Sequence, residues 1–73
     1  VQIINLDRIV ALGIKTVDVD ILYEKGMIGK KDVPVKILGV GDLNEPIEII
    51  ADMFSKSAIE KLEKVGGKAI FRW

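Results

Sequence analysis

The apolar and polar positions in the second half of the chain predict a strand, a turn, a second strand and then a helix. The helix is the best defined of these elements, because its apolar residues recur at the spacing of one helix face and Ser55 precedes them as an N-cap. Those apolar residues are Ala58, Ile59, Leu62 and Val65. The pattern predicts a helix over residues 56–65, which Gly66 ends.

Short runs of β-branched and apolar residues predict the strands. We place them at residues 2–5, 35–38, 47–51 and 69–72. A further helix is predicted over residues 19–25, with Asp18 as its N-cap. Gly26 directly follows this helix and is expected to end it in the left-handed conformation. Asn5 is expected to cap a short helical turn that runs through Ala11. These elements predict an α/β fold in one small domain, residues 1–73, with short strands and a capped C-terminal helix.

The predicted core draws apolar residues from most elements, and Phe71 is assigned to it because it alternates with Arg72. The other predicted core residues are Leu22, Ile37, Leu38, Ile49, Phe54, Ile59 and Leu62. Hydrophobic residues make up 49% of the chain and its mean hydropathy is +0.32, which excludes a chain that is disordered by composition. With 73 residues, burial alone stabilises such a core only marginally. Trp73 is predicted to pack on the fold or on a neighbour.

The chain contains no cysteine and no histidine. These absences exclude a disulfide framework, a zinc site of the Cys/His kind and a Cys-His or Ser-His-Asp nucleophile. No acidic pair has a partner base in the sequence pattern, so we predict neither an enzyme nor a cofactor, metal or small-molecule substrate. Charges or glycines interrupt every apolar stretch, and the residues after Val1 do not resemble a signal peptide. We therefore predict no membrane partner.

Two glycine-containing stretches resemble phosphate-binding motifs only in part. The GVG at residues 39–41 lacks the third glycine of a dinucleotide-binding fingerprint, since position 44 is Asn, and it leads into another strand rather than a helix. A tight turn with positive φ between two strands is the better interpretation. The GKK at residues 29–31 lacks the upstream glycine and the Ser or Thr of a Walker A loop.

Eleven basic and eleven acidic residues give a formal net charge of zero, whereas a free-standing nucleic-acid binder usually has an excess of basic residues. The charges are unevenly distributed. Residues 37–52 contain four acids and no base, and residues 53–73 contain five bases and two acids. This pattern suggests one acidic and one basic side, although charge alone favours ordinary solvated faces.

The second half of the chain contains several short sequence motifs in a specific order. It contains VKILG, then GVGDL, then F-S-K-S-A-x-E-K at residues 54–61, and a double glycine at 66–67. Over residues 33–68 above all, this sequence resembles the C-terminal domain of the large-subunit ribosomal protein L15 family. The resemblance implies an irregular stacked β-β-α layout and a structural role in the large subunit. We interpret the chain as the globular C-terminal portion of such a protein, or as a shortened relative, without the family's basic glycine-rich arm.

The resemblance also implies partners and site residues. The partners are large-subunit ribosomal RNA and neighbouring ribosomal proteins, in a ribosome of the cytoplasm or of an organelle. The candidate RNA-binding residues are Lys30, Lys31, Lys36, Ser55, Lys56, Lys64 and Arg72. By charge alone, the lysines around the loop before residue 35 are equally well explained as a solubilising surface. The alternative function, which the zero net charge supports, is a small protein-interaction or regulatory domain on the same fold without RNA binding.

Overall fold

The computed structural model describes residues 1–72, so the predicted packing of Trp73 lies outside the described residues. The elements follow one another as β1 (Gln2–Asn5), α1 (Leu6–Val10), β2 (Thr16–Val17), α2 (Val19–Glu24), β3 (Val35–Leu38), β4 (Glu48–Ala51), β5 (Met53–Phe54), α3 (Lys56–Lys64) and β6 (Lys68–Phe71). Short parallel strands and helices within a radius of gyration of 10.8 Å confirm the predicted α/β class.

The strands form two parallel sheets, and the chain alternates between them. In the first sheet β3 lies between β1 and β5, and in the second sheet β4 lies between β2 and β6. The chain passes from β4 in the second sheet to β5 in the first through a single residue, Asp52. This interleaving is the form that the predicted irregular layout takes.

Both sheets and all three helices contribute side chains to one core. Successive residues of a strand point to opposite sides, so Val35 and Ile37 of β3 are buried while Lys36 between them lies on the outer side. The largest fully buried side chains are Ile4, Leu6, Ile9, Leu22, Ile37, Ile49, Leu62, Val17 and Val35. Burial of Leu22, Ile37, Ile49 and Leu62 confirms that part of the predicted core.

Four predicted core residues are less buried than expected. Leu38 is half-buried, because a residue next to Ile37 in a strand must point to the opposite side. Phe54 and Ile59 are also half-buried and lie at the margin of the core. The assignment of Phe71 to the core is wrong: it is 53% exposed as the last residue of an edge strand, and its ring meets that of Phe54 edge-on, with centroids 5.2 Å apart.

Most of the predicted element ends are confirmed to within one residue. Asp18 accepts a hydrogen bond from the Ile21 N–H at 2.8 Å, and Gly26 has φ of +71°, as predicted for the two ends of α2. The capping role predicted for Asn5 is wrong, since its side chain makes no capping hydrogen bond. Both longer helices end one residue before the predicted boundary, and β2 and β5 were not predicted.

Gly39 allows the end of β3 to approach the first turn of α3. A Cβ atom at this position would lie 2.6 Å from the backbone nitrogen of Ala58 and 2.6 Å from the carbonyl carbon of Ser57. The positive φ predicted for the turn at residues 39–41 is confirmed at Gly41, where φ is +99°. The two glycines therefore serve different purposes, close packing at the first and backbone conformation at the second.

Replacement of Gly39 by Ala is expected to destabilise the fold by about 3 kcal/mol, because the methyl group must displace helix backbone. Gly13→Ala is the matched control. At Gly13 φ is +70° and a Cβ would meet nothing within 4 Å, so only conformational strain of about 1 kcal/mol is expected. Denaturant unfolding followed by circular dichroism measures both. Equal losses for the two variants would contradict a packing role for Gly39.

Candidate nucleic-acid interface

The loop before β3 is held in place by one side chain of β1. The Gln2 Oε1 accepts hydrogen bonds from the N–H groups of Gly29 (2.7 Å) and Lys30 (3.1 Å), and its Nε2 donates to the carbonyl oxygens of Lys30 (2.7 Å) and Val33 (3.2 Å). We call residues 29–33 the lysine loop. The Gln2 side chain binds the backbone of this loop at several points. The exposed side chains of Lys30 and Lys31 therefore extend from a backbone whose position is fixed.

Arg72 ties the lysine loop to the rest of the fold. Its Nε donates to the Asp52 carboxylate at 2.7 Å and its terminal nitrogen to the Lys31 carbonyl at 3.0 Å. The Asp52 carboxylate, 5% exposed, also accepts the Val35 N–H at 2.7 Å. The structure therefore gives Arg72 a positioning role, through the backbone of Lys31, and a phosphate contact by Arg72 stays a prediction.

The ammonium group of Lys31 is weakly held. It lies 3.4 Å from the Asp20 carboxylate and 5.1 Å from the centre of the Tyr23 ring. Both charged side chains are more than half exposed, so the ion pair contributes at most about 1 kcal/mol. Lys31 can leave these partners for a phosphate at little cost.

Lys36 occupies the outer face of the first sheet. It is aligned with Ile3 of β1 and Met53 of β5, which therefore share that face. Ile3 is 55% exposed, while Lys36 and Met53 are half-buried. Apolar surface thus surrounds the lysine at this point.

Ser55 and Lys56 lie at the start of α3. The Ser55 Oγ accepts hydrogen bonds from the N–H groups of Ala58 (3.2 Å) and Gly39 (3.0 Å) and lies 3.2 Å from the Ser57 Oγ. The predicted cap is confirmed, and the same oxygen also fastens the end of β3 to the helix. Lys56 is exposed beside it. Phosphate contact by either residue stays a prediction.

The candidate residues fall into four places. The lysine loop and Arg72 lie at the amino ends of the first-sheet strands, and Ser55 and Lys56 follow their carboxyl ends. Lys36 lies between, on strands that span about 13 Å. Lys64 is separate, since it ends α3 beside a cavity that is also lined by Asp42 and Asn44.

Sequence reasoning missed two residues that shape these places. Gln2 was seen only as part of a strand, although a polar residue two positions before the buried Ile4 faces inward and needs partners. Lys61 donates to the carbonyl oxygens of Gly39 and Gly41, both at 2.7 Å, and so holds residues 39–41, which we call the glycine turn, against α3. Nothing local in the sequence indicates these contacts, which span 20 and 22 residues.

The family model that describes the ribosomal proteins 50S-L15 and 50S-L18e, together with a 60S member, matches residues 1–70. The chain belongs to this ribosomal protein family. The resemblance found in the sequence is thereby confirmed, and the match covers the lysine loop, the glycine turn and α3 together.

Several relatives in the family are bacterial proteins of the large subunit. A large ribosomal subunit protein uL15 of Acidobacterium capsulatum is 46% identical over 68 residues, which cover 93% of this chain and 47% of the relative. The uL15 of Trichlorobacter lovleyi is 50% identical over 52 residues, covering 71% of this chain and 35% of the relative. The uL15 of Cutibacterium acnes is 40% identical, covering 97% of this chain and 49% of the relative. The chain spans about half the length of these relatives or less.

The described residues offer neither a metal site nor a membrane span. Within residues 1–72, no three acidic side chains come close enough to hold a metal ion. The helices in that part of the chain are also too short and too polar to cross a membrane.

Proposed function

We propose that this chain is the globular RNA-binding domain of a large ribosomal subunit protein, and that it binds the backbone of large-subunit ribosomal RNA and supports subunit assembly. Membership in the family and the names of the uL15 relatives support a ribosomal role. The role is structural, within translation, and involves no catalysis. The domain lies in a ribosome, either in the cytoplasm, as in bacteria, or in an organelle. Its protein partners there are neighbouring ribosomal proteins.

The observation that carries the proposal is the lysine loop held by Gln2. A phosphate-binding loop gains affinity when its backbone is ordered before binding, because little conformational entropy remains to be lost. Four hydrogen bonds from Gln2 and one from Arg72 supply that order. Lys30 and Lys31 then offer two ammonium groups to consecutive or facing phosphates. Lys36 and Lys56 extend the basic surface along the first sheet.

Two of the acidic residues are arranged in a way that fits this proposal, whereas Asp20 and Asp32 lie beside the lysines of the loop. Asp52 is used internally by Arg72 and Val35, so it adds no negative surface next to the loop. Glu48 is paired in register with Lys68 on the second sheet. The zero net charge therefore does not preclude a local basic surface on the first sheet.

Binding is expected to be weak and strongly dependent on salt. If three lysines each neutralise one phosphate, the slope of log affinity against log salt is about −2.7, so affinity falls roughly 40-fold between about 50 and 200 mM salt. A gel-shift or filter assay with a ribosomal RNA stem across that salt range measures the slope. Salt-independent binding would contradict an interface made of phosphate contacts.

A second candidate, protein interaction without RNA, has one specific observation in its favour. Val1 and Ile3 are 67% and 55% exposed, and Val40 is 49% exposed. Ile3 lies on the outer face of the first sheet, next to Lys36. Absence of any RNA binding at about 50 mM salt, with the fold intact, would favour this candidate.

A further inference from the structure

An open cavity lies beside the lysine loop. Its volume is about 420 Å³, and it is lined by Tyr23, Gly29, Lys30, Lys31 and Asp32. This volume is at the small end of the range for ligand cavities. The lining combines an aromatic ring, two ammonium groups, a residue without a side chain and one carboxylate. An aromatic ring can stack with a base, and ammonium groups can contact phosphates.

The Tyr23 ring can stack with a base when the Lys31 ammonium moves off its face. The residue is 46% exposed in the last turn of α2. One face of the ring is reached from the loop side, because the Lys31 ammonium lies 5.1 Å from its centre. Every nucleobase has a π-face that can take such a position, and base–aromatic stacking is one of the main sources of affinity for unpaired nucleotides.

We propose that this cavity binds a single unpaired nucleotide of RNA. The base stacks on Tyr23, and Lys30 and Lys31 contact the adjoining phosphates. Lys31 moves from the ring to the phosphate, which costs little because its exposed ion pair with Asp20 is weak. The Asp32 carboxylate can accept a hydrogen bond from an exocyclic amino group such as cytosine N4. The inference rests on the proposed function and adds a base contact to its backbone contacts.

The lysine loop is suited to this task because its position relative to Tyr23 is fixed. Gln2 binds Gly29 and Lys30, and Arg72 binds the Lys31 carbonyl, so the part of the cavity lining that the loop contributes is anchored at three residues. Gly29 leaves room for a planar base, since even a Cβ there would contact only the Gln2 side chain, at 3.8 Å. An ordered wall of this kind lowers the entropy lost when a flexible nucleotide binds.

Two RNA hairpins with the same stem test the proposal, one fully paired and one with a single bulged cytidine. We expect the chain to bind the bulged hairpin about 5- to 150-fold more tightly, the range measured for one stacked base. Tyr23→Leu abolishes this preference but retains the affinity for the paired stem. Tyr23→Phe keeps the preference, because the ring is retained.

Fluorescence supplies a second measurement. The chain has one tyrosine and one tryptophan. In a Trp73→Phe variant, Tyr23 is therefore the only tyrosine or tryptophan that contributes to the fluorescence. Stacking is expected to quench its emission with the bulged hairpin and not with the paired one. Thermal melts of all variants show whether the fold is retained.

The outcomes separate this inference from the proposed function. Equal affinity for the two hairpins, with Tyr23 emission unchanged, overturns the nucleotide site and leaves backbone binding intact. A preference that survives Tyr23→Leu also overturns it. Failure of the original chain to bind either hairpin at about 50 mM salt overturns the proposed RNA-binding function and the nucleotide site together.

Discussion

Replacement of Asp52 by Ala is expected to destabilise the fold by about 2–4 kcal/mol, because it removes the acceptor of two part-buried hydrogen bonds, one of them from a charged group. A chain of this size is expected to have a total stability of about 4–11 kcal/mol. The substitution therefore removes a large share of the stability, and the ratio of unfolded to folded molecules is expected to rise at least about 30-fold.

The expected loss follows from the position of Asp52 between the two sheets. Its side chain is 5% exposed and accepts hydrogen bonds from the Val35 N–H and the Arg72 Nε, both at 2.7 Å. Its own N–H donates to the Val35 carbonyl at 3.2 Å. Without the carboxylate, a buried amide and a guanidinium lose these partners, and each such loss is costly. The same residue is the whole connection from β4 to β5.

Two further variants make the measurement specific. Asp52→Asn keeps the volume and one acceptor oxygen, so it is expected to lose less stability than Asp52→Ala. Asp42→Ala removes an exposed carboxylate of the same acidic stretch and is expected to change stability by less than about 0.5 kcal/mol. Urea unfolding followed by circular dichroism compares all three. A loss below about 1 kcal/mol for Asp52→Ala would contradict its role as the junction of the sheets.

Elements whose signals are local were predictable from the sequence. The caps of α2 and α3 depend on residues three apart, Asp18 with Ile21 and Ser55 with Ala58. The apolar face of α3 depends on the helix period alone. Where residues close in sequence determine an element, the sequence is sufficient to predict it.

Elements that depend on distant partners were not predictable. β2 and β5 have two residues each, and only pairing with β4 and β3 makes them strands. The sequence likewise places Asp52 in an acidic stretch, although its carboxylate binds Val35 and Arg72, which are 17 and 20 residues away. Its apparent surface charge is therefore internal.

The residues of the candidate interface also divide into those that the sequence could predict and those that depend on distant partners. Exposure of Lys30, Lys31 and Lys56 could be expected from their loop and cap positions. The hydrogen bonds that order the lysine loop could not be expected from the sequence, because Gln2 lies 27 to 31 residues away from its partners in the loop. The residues that would contact RNA are thus easier to predict than the residues that position them.

Replacement of Lys30 and Lys31 together by Ala is expected to weaken RNA binding by about tenfold per lysine at about 0.1 M salt, since each phosphate contact adds about 0.9 to the salt slope. The slope itself is expected to fall by about 2. The thermal melt should be nearly unchanged, because exposed lysines contribute little to stability. A binding titration at several salt concentrations measures affinity and slope together.

The matched control is Lys15→Ala with Lys68→Ala. These two lysines are also exposed, and their loss changes the net charge by the same amount. They lie just before β2 and at the start of β6, on the side of the second sheet. If the lysine loop makes the contacts, the control pair should retain affinity within about threefold and keep the original slope.

Adding Lys56→Ala to the loop variant tests the far end of the first sheet. A further loss of affinity, and reduced incorporation into ribosomal particles in a quantitative pull-down, are expected if RNA follows the sheet from the loop to α3. Equal weakening by the loop and control pairs would assign binding to total charge, because only the position of the lysines differs. Unchanged affinity, incorporation and melting in the triple variant would remove these lysines from the RNA interface and favour a protein partner for this fold.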